Sequence, residues 1–292
     1  MIEGVINVYK EAGWTSNDVV CKLKGVLHQK RIGHAGTLDP DACGVLPVCV
    51  GKATKLFDYL TTRKKTYIAT IYFGAVTDTQ DASGNVLEQS GACPSDKELE
   101  EILSEFLGKI KQIPPMYSAL KRDGKKLYEL AREGKEVVRE PREVEILEIK
   151  VLSPIKENTC KISVTCSKGT YIRTLCHDIG QRLGCGAYML ELLRVNAAGF
   201  LLKNALTISQ IQQLVGNNDF SFIVPIEKAI EFYPQIDIDE SCLKKIENGN
   251  KVEARFASKH FDGFARIYCN GKFFGIGEEK DAFISIKCRL GE

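Results

Sequence analysis

The segment from Gly33 to Gly44 is the part of this chain that most limits what it can fold into. It reads GHAGTLDPDACG and lies between an amphipathic helical pattern and the apolar run 45–50. Glycine permits tight or positive-φ backbone, and Pro40 restricts the backbone directly after Asp39. A stiff loop of this kind can present one carboxylate from a rigid scaffold, which is a common design of catalytic sites. An Asp-Pro turn with no catalytic role is the simpler alternative.

Composition indicates a folded protein of ordinary type. The chain has 292 residues, enough for a large domain and a small one, with 44% hydrophobic and 27% charged residues. It has neither an apolar stretch of membrane-spanning length nor the basic start of a secretion signal, so we expect a cytoplasmic protein with no membrane partner. The eleven cysteines show no repeated C-x-x-C spacing, which disfavours zinc and indicates reduced thiols.

Helical and strand patterns are mixed along the first three quarters of the chain, without regular alternation. This favours an α+β fold over a doubly wound sheet. Amphipathic helices are predicted after Thr15, Ser95 and Thr207, where a capping residue precedes the apolar stripe, and from Ile172 onward. Strands are predicted at 66–73, 144–152 and 161–166.

The pattern changes after Tyr233-Pro234. Short strand-like runs follow, and Asn270-Gly271 between two of them is a strong hairpin signal. We therefore expect two domains, at 1–234 and 235–292, the second small, β-rich and independently packed.

Several separated segments, which span most of residues 5–200, resemble motifs of the TruB family, the bacterial pseudouridine synthases that act on the T-loop uridine of tRNA. The resemblance implies a pseudouridine-synthase fold with a central mixed, largely antiparallel sheet flanked by helices, and a C-terminal PUA-like RNA-binding domain. One departure is Glu11, where the family usually has proline. The segments are GHAGTLDP, 7–10 with 13–16, 64–67, 169–174, and 184–187 with Leu192 and Arg194.

The resemblance assigns the catalytic role to Asp39. A carboxylate can form a covalent adduct with a sugar or stabilise a cationic one. Asp41 is a second carboxylate in the same loop, and residue chemistry does not distinguish the two. Only the motif selects Asp39.

The resemblance also assigns a substrate pocket. Tyr67 is suited to stack on a flipped base, and Arg173 to pair with Asp39 and keep it ionised. Tyr171 would line the pocket, His34 would contact the RNA displaced by the flip, and Leu192 would contact the uracil. Without the motifs, the two tyrosines would be read as core residues.

A basic segment at about 109–142 resembles an RNA-gripping insertion of the family. It holds ten Lys or Arg and five Asp or Glu, in a chain whose net charge is only +2. A solvated surface is the alternative for so modest an excess. The predicted RNA-binding residues are Lys64, Lys65, Lys121, Lys125, Lys126 and Arg142.

Pseudouridine formation is a redox-neutral isomerisation, so we expect no cofactor and no metal. The expected partner is the T-arm of tRNA, bound by a monomer without a guide RNA or an obligate protein partner. Two alternatives are a guide-RNA-dependent enzyme of the same fold and an RNA-binding protein or chaperone without turnover. The set Asp39, Tyr67 and Arg173 argues against a pure binder, because a carboxylate facing a polyanion is an electrostatic cost.

Overall fold

The structure is a computed structural model that describes residues 2–118, 120–122 and 124–291. The strands are β1 (Gly4–Lys10), β2 (Ile32–His34), β3 (Cys43–Val50), β4 (Lys65–Phe73), β5 (Ala75–Thr77), β6 (Val86–Gln89), β7 (Gly108–Gln112), β8 (Lys121–Arg122), β9 (Lys125–Lys126), β10 (Arg142–Val151), β11 (Thr159–Cys166), β12 (Ala187–Ala197), β13 (Phe200–Leu201), β14 (Ile223–Val224), β15 (Gln235–Ile238), β16 (Val252–Glu253), β17 (Phe264–Cys269), β18 (Lys272–Lys280) and β19 (Phe283–Arg289). The α-helices are α1 (Ser16–Val26), α2 (Phe57–Thr61), α3 (Asp96–Glu105), α4 (Leu127–Arg132), α5 (Ile172–Arg182), α6 (Ile208–Gly216), α7 (Ile226–Ala229) and α8 (Leu243–Glu247).

A mixed sheet forms the centre of the molecule. Its strands run in the order β14-β1-β3-β12-β4-β11-β10-β7, with β2 added beside β3 and β13 beside β12. The β3–β12 pair is parallel and the remaining pairs along this order are antiparallel. The prediction of an α+β fold with a mixed, largely antiparallel sheet is confirmed.

The predicted helices begin at the residues that the sequence marks. Thr15, Ser95 and Thr207 each cap a helix, and each makes the reciprocal pair of bonds with the residue three positions later. The apolar stripe of α1 then packs against the strands of the central sheet, with Val19 and Leu23 among its buried residues. No described helix is long and apolar enough to cross a bilayer.

Strand β12 lies in the middle of the sheet, yet the sequence pattern did not predict it. Two register shifts against β4 interrupt its alternation, one between Met189 and Glu191 and one between Arg194 and Asn196. Bulges of this kind remove the period-2 signal on which strand prediction depends. They are also frequent next to functional sites, and β12 carries three of the motif residues, Ala187, Leu192 and Arg194.

The C-terminal segment forms a second sheet in the order β15-β17-β18-β19-β16. The predicted hairpin joins β17 to β18, with Asn270 at φ 50° and Gly271 at φ 68°, the pair of positive φ values that a two-residue turn requires. The C-terminal sheet does not pack only against residues of its own segment. Some of its apolar residues, with Ile267 and Phe274 among them, form a core within the segment. Others, including Phe273, Ile276 and Cys288, share a second core with Leu56, Leu60 and Tyr233.

Candidate active site

The loop that carries Asp39 is held in place along most of its length. The hydroxyl of Ser16, at the start of α1, donates to Leu38 O at 3.1 Å and accepts from Leu38 N at 2.9 Å. The buried ammonium of Lys10 donates to Pro40 O at 2.8 Å. Gly44 closes the loop at φ +107°, where a Cβ would lie 2.3 Å from Arg194 O, so only glycine fits there.

Arg173 joins two carboxylates within this site. Its Nε lies 3.1 Å from Asp39 Oδ2, and its Nη1 lies 3.2 Å from Asp81 Oδ2. The remaining nitrogen, Nη2, donates to Tyr117 O at 3.0 Å. The Arg173 side chain is buried, whereas that of Asp39 keeps 41% of its surface, so the carboxylate is the accessible end of the network.

The position of Arg173 in its helix explains why its side chain is paired with two carboxylates. It lies in the first turn of α5, where the helix dipole disfavours a cation, and two carboxylates offset that cost. Tyr171, the residue directly before α5, caps the helix without a side-chain hydrogen bond to its backbone. The buried amide of Gln112 bonds both sides of the Tyr171 backbone, accepting from N at 3.0 Å and donating to O at 3.2 Å.

The charges in the site act on the pKa of Asp39 in opposite directions. Although the side chain is partly open, its carboxyl is surrounded by protein on most sides, and this burial raises its pKa above the ordinary value. Arg173 and Lys10 lower the pKa, whereas Asp81 and Asp41 raise it. Arg173 is therefore the main group that keeps Asp39 ionised.

Tyr67 and Leu192 lie on adjacent strands beside the loop. Tyr67 pairs with Arg194 across β4 and β12, and Leu192 pairs with Ala69 two residues along. Tyr67 is 8% exposed and packs in the same core as Leu38, so only a small part of its ring is open. Burial raises the pKa of Tyr67, and the charge of Asp39 adds to that rise, which places the phenol within electrostatic range of the carboxylate.

His34 ends β2 directly before the loop. Burial, with a further contribution from Arg194, lowers its pKa, so the ring is neutral at neutral pH. Its Nδ1 is buried and finds no hydrogen-bond partner among the described residues. Tyr171 is half-buried, and the charges of Arg173 and Asp39 both reach its phenol. The structure thus brings Asp39, Arg173, Tyr67 and Tyr171 into one electrostatically connected site.

Comparison with known proteins agrees with this arrangement. The family profile described as "TruB family pseudouridylate synthase (N terminal domain)" matches residues 24–172, and the profile described as "tRNA pseudouridylate synthase B C-terminal domain" matches residues 173–231. The chain belongs to the TruB family. A third profile, "Pseudouridine synthase II TruB, C-terminal", matches residues 234–285 of this TruB chain.

Curated relatives match along most of their length. The tRNA pseudouridine synthase B of Clostridium kluyveri is 42% identical over 283 residues, which cover 96% of both chains. That of Streptococcus thermophilus is 47% identical over 257 residues, 86% of this chain and 88% of the relative. Among solved structures, a chain of a Cbf5-Nop10-Gar1 complex is similar with a TM-score of 0.77 and 28% identity, covering 99% of this chain and 84% of that one. The fold is that of the pseudouridine synthases.

The structure separates the basic residues that the sequence grouped together. Lys64 and Arg142 are exposed, and Lys125 is exposed but pairs with Glu133 at 3.2 Å. Lys65 is different: it is 8% exposed, and its ammonium donates to Thr61 O and Arg63 O. This buried position is not that of a side chain that reaches out to RNA. The side chains of Lys121 and Lys126 lie outside the described part of the structure.

Asp81 is the site residue that the sequence analysis missed. It lies in the loop between β5 and β6, where its Oδ1 accepts hydrogen bonds from Thr79 and Ser83. Its partner Arg173 is 92 residues further along the chain. The local sequence predicts a turn and nothing more, because no spacing connects this turn to α5.

No group of three or more His, Cys, Asp or Glu side chains that could hold a metal ion occurs in the described ranges. Cys43 is the cysteine of the loop that carries Asp39, and it is free. The polar contacts that organise the loop come from cations, hydroxyls and backbone groups.

Proposed function

We propose that this TruB chain isomerises the T-loop uridine of tRNA, at position 55, to pseudouridine. The observation that carries the proposal is the ion pair of Asp39 with Arg173, at 3.1 Å, within a loop that is fixed from β1, α1 and β12. The site offers a partly accessible carboxylate and a cation that keeps it ionised. The names of the curated relatives support the same reaction.

The chemistry begins with a base that is flipped out of the T-loop, since the reacting bond is inaccessible inside the folded RNA. Tyr67 stacks on the flipped base, Leu192 contacts its ring, and His34 contacts the RNA that the flip displaces. When the C1′–N1 bond breaks, its electron pair leaves with the base. Asp39 compensates the electron deficiency at C1′, either by bonding to the sugar or by stabilising its cation.

The base then turns so that C5 faces C1′, and a C5–C1′ bond forms. The proton at C5 is lost and N1 gains one, so the overall reaction consumes nothing and needs no redox cofactor. Arg173 keeps Asp39 ionised and oriented throughout, and Tyr171 lines the pocket beside them. Asp81 restrains the other side of the guanidinium.

Recognition of the T-arm is assigned to two further parts of the chain. We place the catalytic domain at 1–234, with its basic insertion at about 109–142, and a PUA-like RNA-binding domain at 235–292. The insertion grips the T-arm through Lys125, Arg142 and their basic neighbours. The enzyme acts as a cytoplasmic monomer, without metal, guide RNA or partner protein.

The direct test uses the purified chain and an unmodified tRNA transcript, with pseudouridine mapped at single-nucleotide resolution. We expect modification of the T-loop uridine alone, undiminished in excess chelator. The Asp39→Asn variant is the matched control for contaminating activity. Loss of turnover in chelator, restored by one metal, would contradict the metal-free mechanism.

A guide-RNA-dependent enzyme is the second candidate, because the similar solved chain occurs in a multi-subunit complex. The transcript assay separates the two candidates without a further component. Modification of the bare transcript supports the stand-alone enzyme, and modification only after addition of a guide RNA supports the alternative. An RNA-binding protein without turnover would bind the transcript and modify nothing in either case.

A further inference from the structure

In the part of the chain that the structure describes, the charged side chains that are buried away from solvent all carry positive charge. Within the described ranges, Lys10, Lys65, Arg173 and Arg194 are the charged side chains that are buried, and all four are cations. Of these, only Arg173 forms an ion pair with a described carboxylate. Burying a charge without a counter-ion is costly, since hydrogen bonds to neutral groups replace only part of the lost hydration.

Lys65 and Arg194 are held by backbone carbonyl groups instead of carboxylates. Arg194 is fully buried and donates to Val45 O at 2.7 Å, Gly36 O at 3.1 Å and Thr37 O at 3.2 Å. The ammonium of Lys65 donates to the carbonyl groups that end α2, at 2.8 and 3.0 Å. These bonds satisfy most of the donors and leave the two positive charges uncompensated.

The two cations are also neighbours. A methyl group on Gly36 would lie 3.6 Å from Lys65 Cε and 3.8 Å from Arg194 Nη1, so both side chains lie against the same glycine of the catalytic loop. Two like charges in a buried place raise each other's cost. Burial and the charge of Arg194 together lower the pKa of Lys65 to about 8.

Both cations lie beside the tyrosine that receives the base. Arg194 is directly opposite Tyr67 in the pairing of β12 with β4, and Lys65 precedes Tyr67 by two residues on the same face of β4. The charge of Arg194 reaches the phenol of Tyr67, where it opposes the effect of burial on the pKa. The electrostatic field of Arg194 therefore extends into the proposed base pocket, and Lys65 lies beside Arg194.

Holding the loop does not require charge. Ser16 fixes Leu38 by two hydrogen bonds from a neutral hydroxyl, in the middle of the same loop. A neutral amide could hold the carbonyl groups at Lys65 without the cost of a buried cation. The charge of Lys65 and Arg194 thus calls for an explanation beyond loop support.

We propose that Lys65 and Arg194 form a buried pair of counter-charges for the anionic base that exists after the C1′–N1 bond breaks. This inference rests on the proposed function. The electron pair of the broken bond stays on the uracil ring, where it spreads over N1 and the carbonyl oxygens. Preorganised positive charge behind the stacked ring stabilises that anion at the moment it forms. The negative charge disappears when the electron pair forms the C5–C1′ bond, and the C5 proton is then lost while N1 gains one, so the ring stays neutral.

The first test compares Lys65→Gln with Lys65→Arg in single-turnover reactions at saturating tRNA. The glutamine is a neutral donor for the same carbonyl groups, and the arginine keeps the charge. We expect Lys65→Gln to slow the reaction of a uridine substrate on the order of tenfold, the effect of one unit charge acting across several ångströms of protein. Lys97→Gln, an exposed lysine of α3, is the surface control and should leave the rate unchanged.

The same variants are then measured on a tRNA that carries 5-fluorouridine at the target position. Fluorine stabilises the anionic ring, so cleavage of this substrate depends less on stabilisation by the protein. We expect Lys65→Gln to slow glycosidic cleavage less for 5-fluorouridine than for uridine, and Lys65→Arg to keep the wild-type ratio. An equal slowing of both substrates would mean that Lys65 only supports the loop, and would overturn the proposal.

A second measurement needs no substitution at all. The ammonium of Lys65 is charged below its pKa of about 8 and neutral above it, so the wild-type rate should fall as the pH rises through that range. The groups that face Lys65 are Arg194 and Lys168, which are cations, and Cys166, whose pKa burial raises to about 11. Arginine does not titrate there, so the fall should be absent in Lys65→Arg. A fall that persists in Lys65→Arg, or a flat wild-type profile, rejects the proposal.

The failure of this inference can be told apart from failure of the proposed function. A wild-type chain that never isomerises the transcript rejects both. A wild-type chain that isomerises it, with a rate insensitive to the charge at position 65, rejects only the counter-charge role. If Lys65→Gln does not fold, the comparison of wild type with Lys65→Arg against pH still decides.

Discussion

The guanidinium of Arg173 contacts the carboxylate of Asp39 through Nε, which lies 3.1 Å from Oδ2, while its Nη1 is committed to Asp81. A planar guanidinium with fixed donors holds both carboxylates in defined directions, which a lysine ammonium could not do. Asp81 lies in the distant loop between β5 and β6 and holds the other side of this guanidinium. The orientation of Asp39 toward the open side of the site therefore depends on Asp81 as well as on Arg173.

Asp39→Asn should abolish isomerisation while tRNA binding persists. The amide is nearly isosteric but can neither bond to C1′ nor neutralise a cationic sugar, so we expect the single-turnover rate to fall by more than about a thousandfold. Asp41→Asn is the matched control in the same loop and should keep substantial activity. The reverse result for the two variants would assign the reaction to Asp41.

The acid limb of the pH–rate profile, where activity falls as Asp39 becomes protonated, should move in one direction when Arg173 is neutralised and in the other when Asp81 is neutralised. Activity needs the ionised carboxylate and is lost as the pH falls through its pKa. Arg173 lowers this pKa, so Arg173→Gln should shift the limb to higher pH; Asp81 raises it, so Asp81→Asn should shift the limb to lower pH. Single-turnover rates measured across the pH range locate the acid limb of each variant. Shifts of the same sign would show that geometry, not charge, dominates the network.

Asp178→Asn should stabilise the protein at neutral pH. Burial raises the pKa of the half-buried Asp178 to about 6, above that of the unfolded chain. Its contribution to stability is therefore present in acid and is lost as the pH rises toward 6, so the ionised group destabilises the fold at pH 7. Thermal unfolding at about pH 7 should show a higher Tm for the variant, and near pH 4 the difference should vanish. An equal gain at both pH values would contradict the titration.

Charge reversal in the basic insertion should weaken tRNA binding and flatten its dependence on salt. Lys125→Glu and Lys126→Glu each remove a cation that would release counterions from phosphate, with a change in slope of about one per contact. Glu133 already pairs with Lys125, so the variant also places two carboxylates together. Lys97→Glu is the control, an exposed lysine that likewise has a carboxylate partner, Glu101. A salt slope equal to that of wild type would make the insertion an ordinary solvated surface.

Removal of residues 235–292 should destabilise the rest of the chain. The ring of Tyr59 lies 5.1 Å from that of Phe264 and 6.3 Å from that of Tyr233, so truncation after Pro234 opens a shared aromatic cluster to water. We expect Tm to fall by on the order of 10 °C. Phe264→Ala in the full chain should reproduce a smaller part of that fall. An unchanged Tm after truncation would show that the C-terminal sheet is energetically independent.

Sequence alone determined those features of this protein that depend on neighbours a few residues apart. The capping residues Thr15, Ser95 and Thr207 predicted where helices begin, because each of them closes its helix start by hydrogen bonds within four residues. The Asn270-Gly271 turn predicted its hairpin for the same reason. The loop that carries Asp39 was found as a motif, and the choice of Asp39 over Asp41 came from family resemblance, since both carboxylates fit the local chemistry.

Only the tertiary structure decided which distant groups meet. Asp81 reaches Arg173 across 92 residues, and no local pattern encodes that contact. The sequence predicted that Lys65 binds RNA, yet the pairing of β4 between β11 and β12 places it inside the protein, next to Arg194. The shared aromatic core joins two segments whose strand patterns looked independent. Such contacts depend on how whole helices and strands pack to bury apolar surface. That packing also determines which charged groups lie next to the loop that carries Asp39.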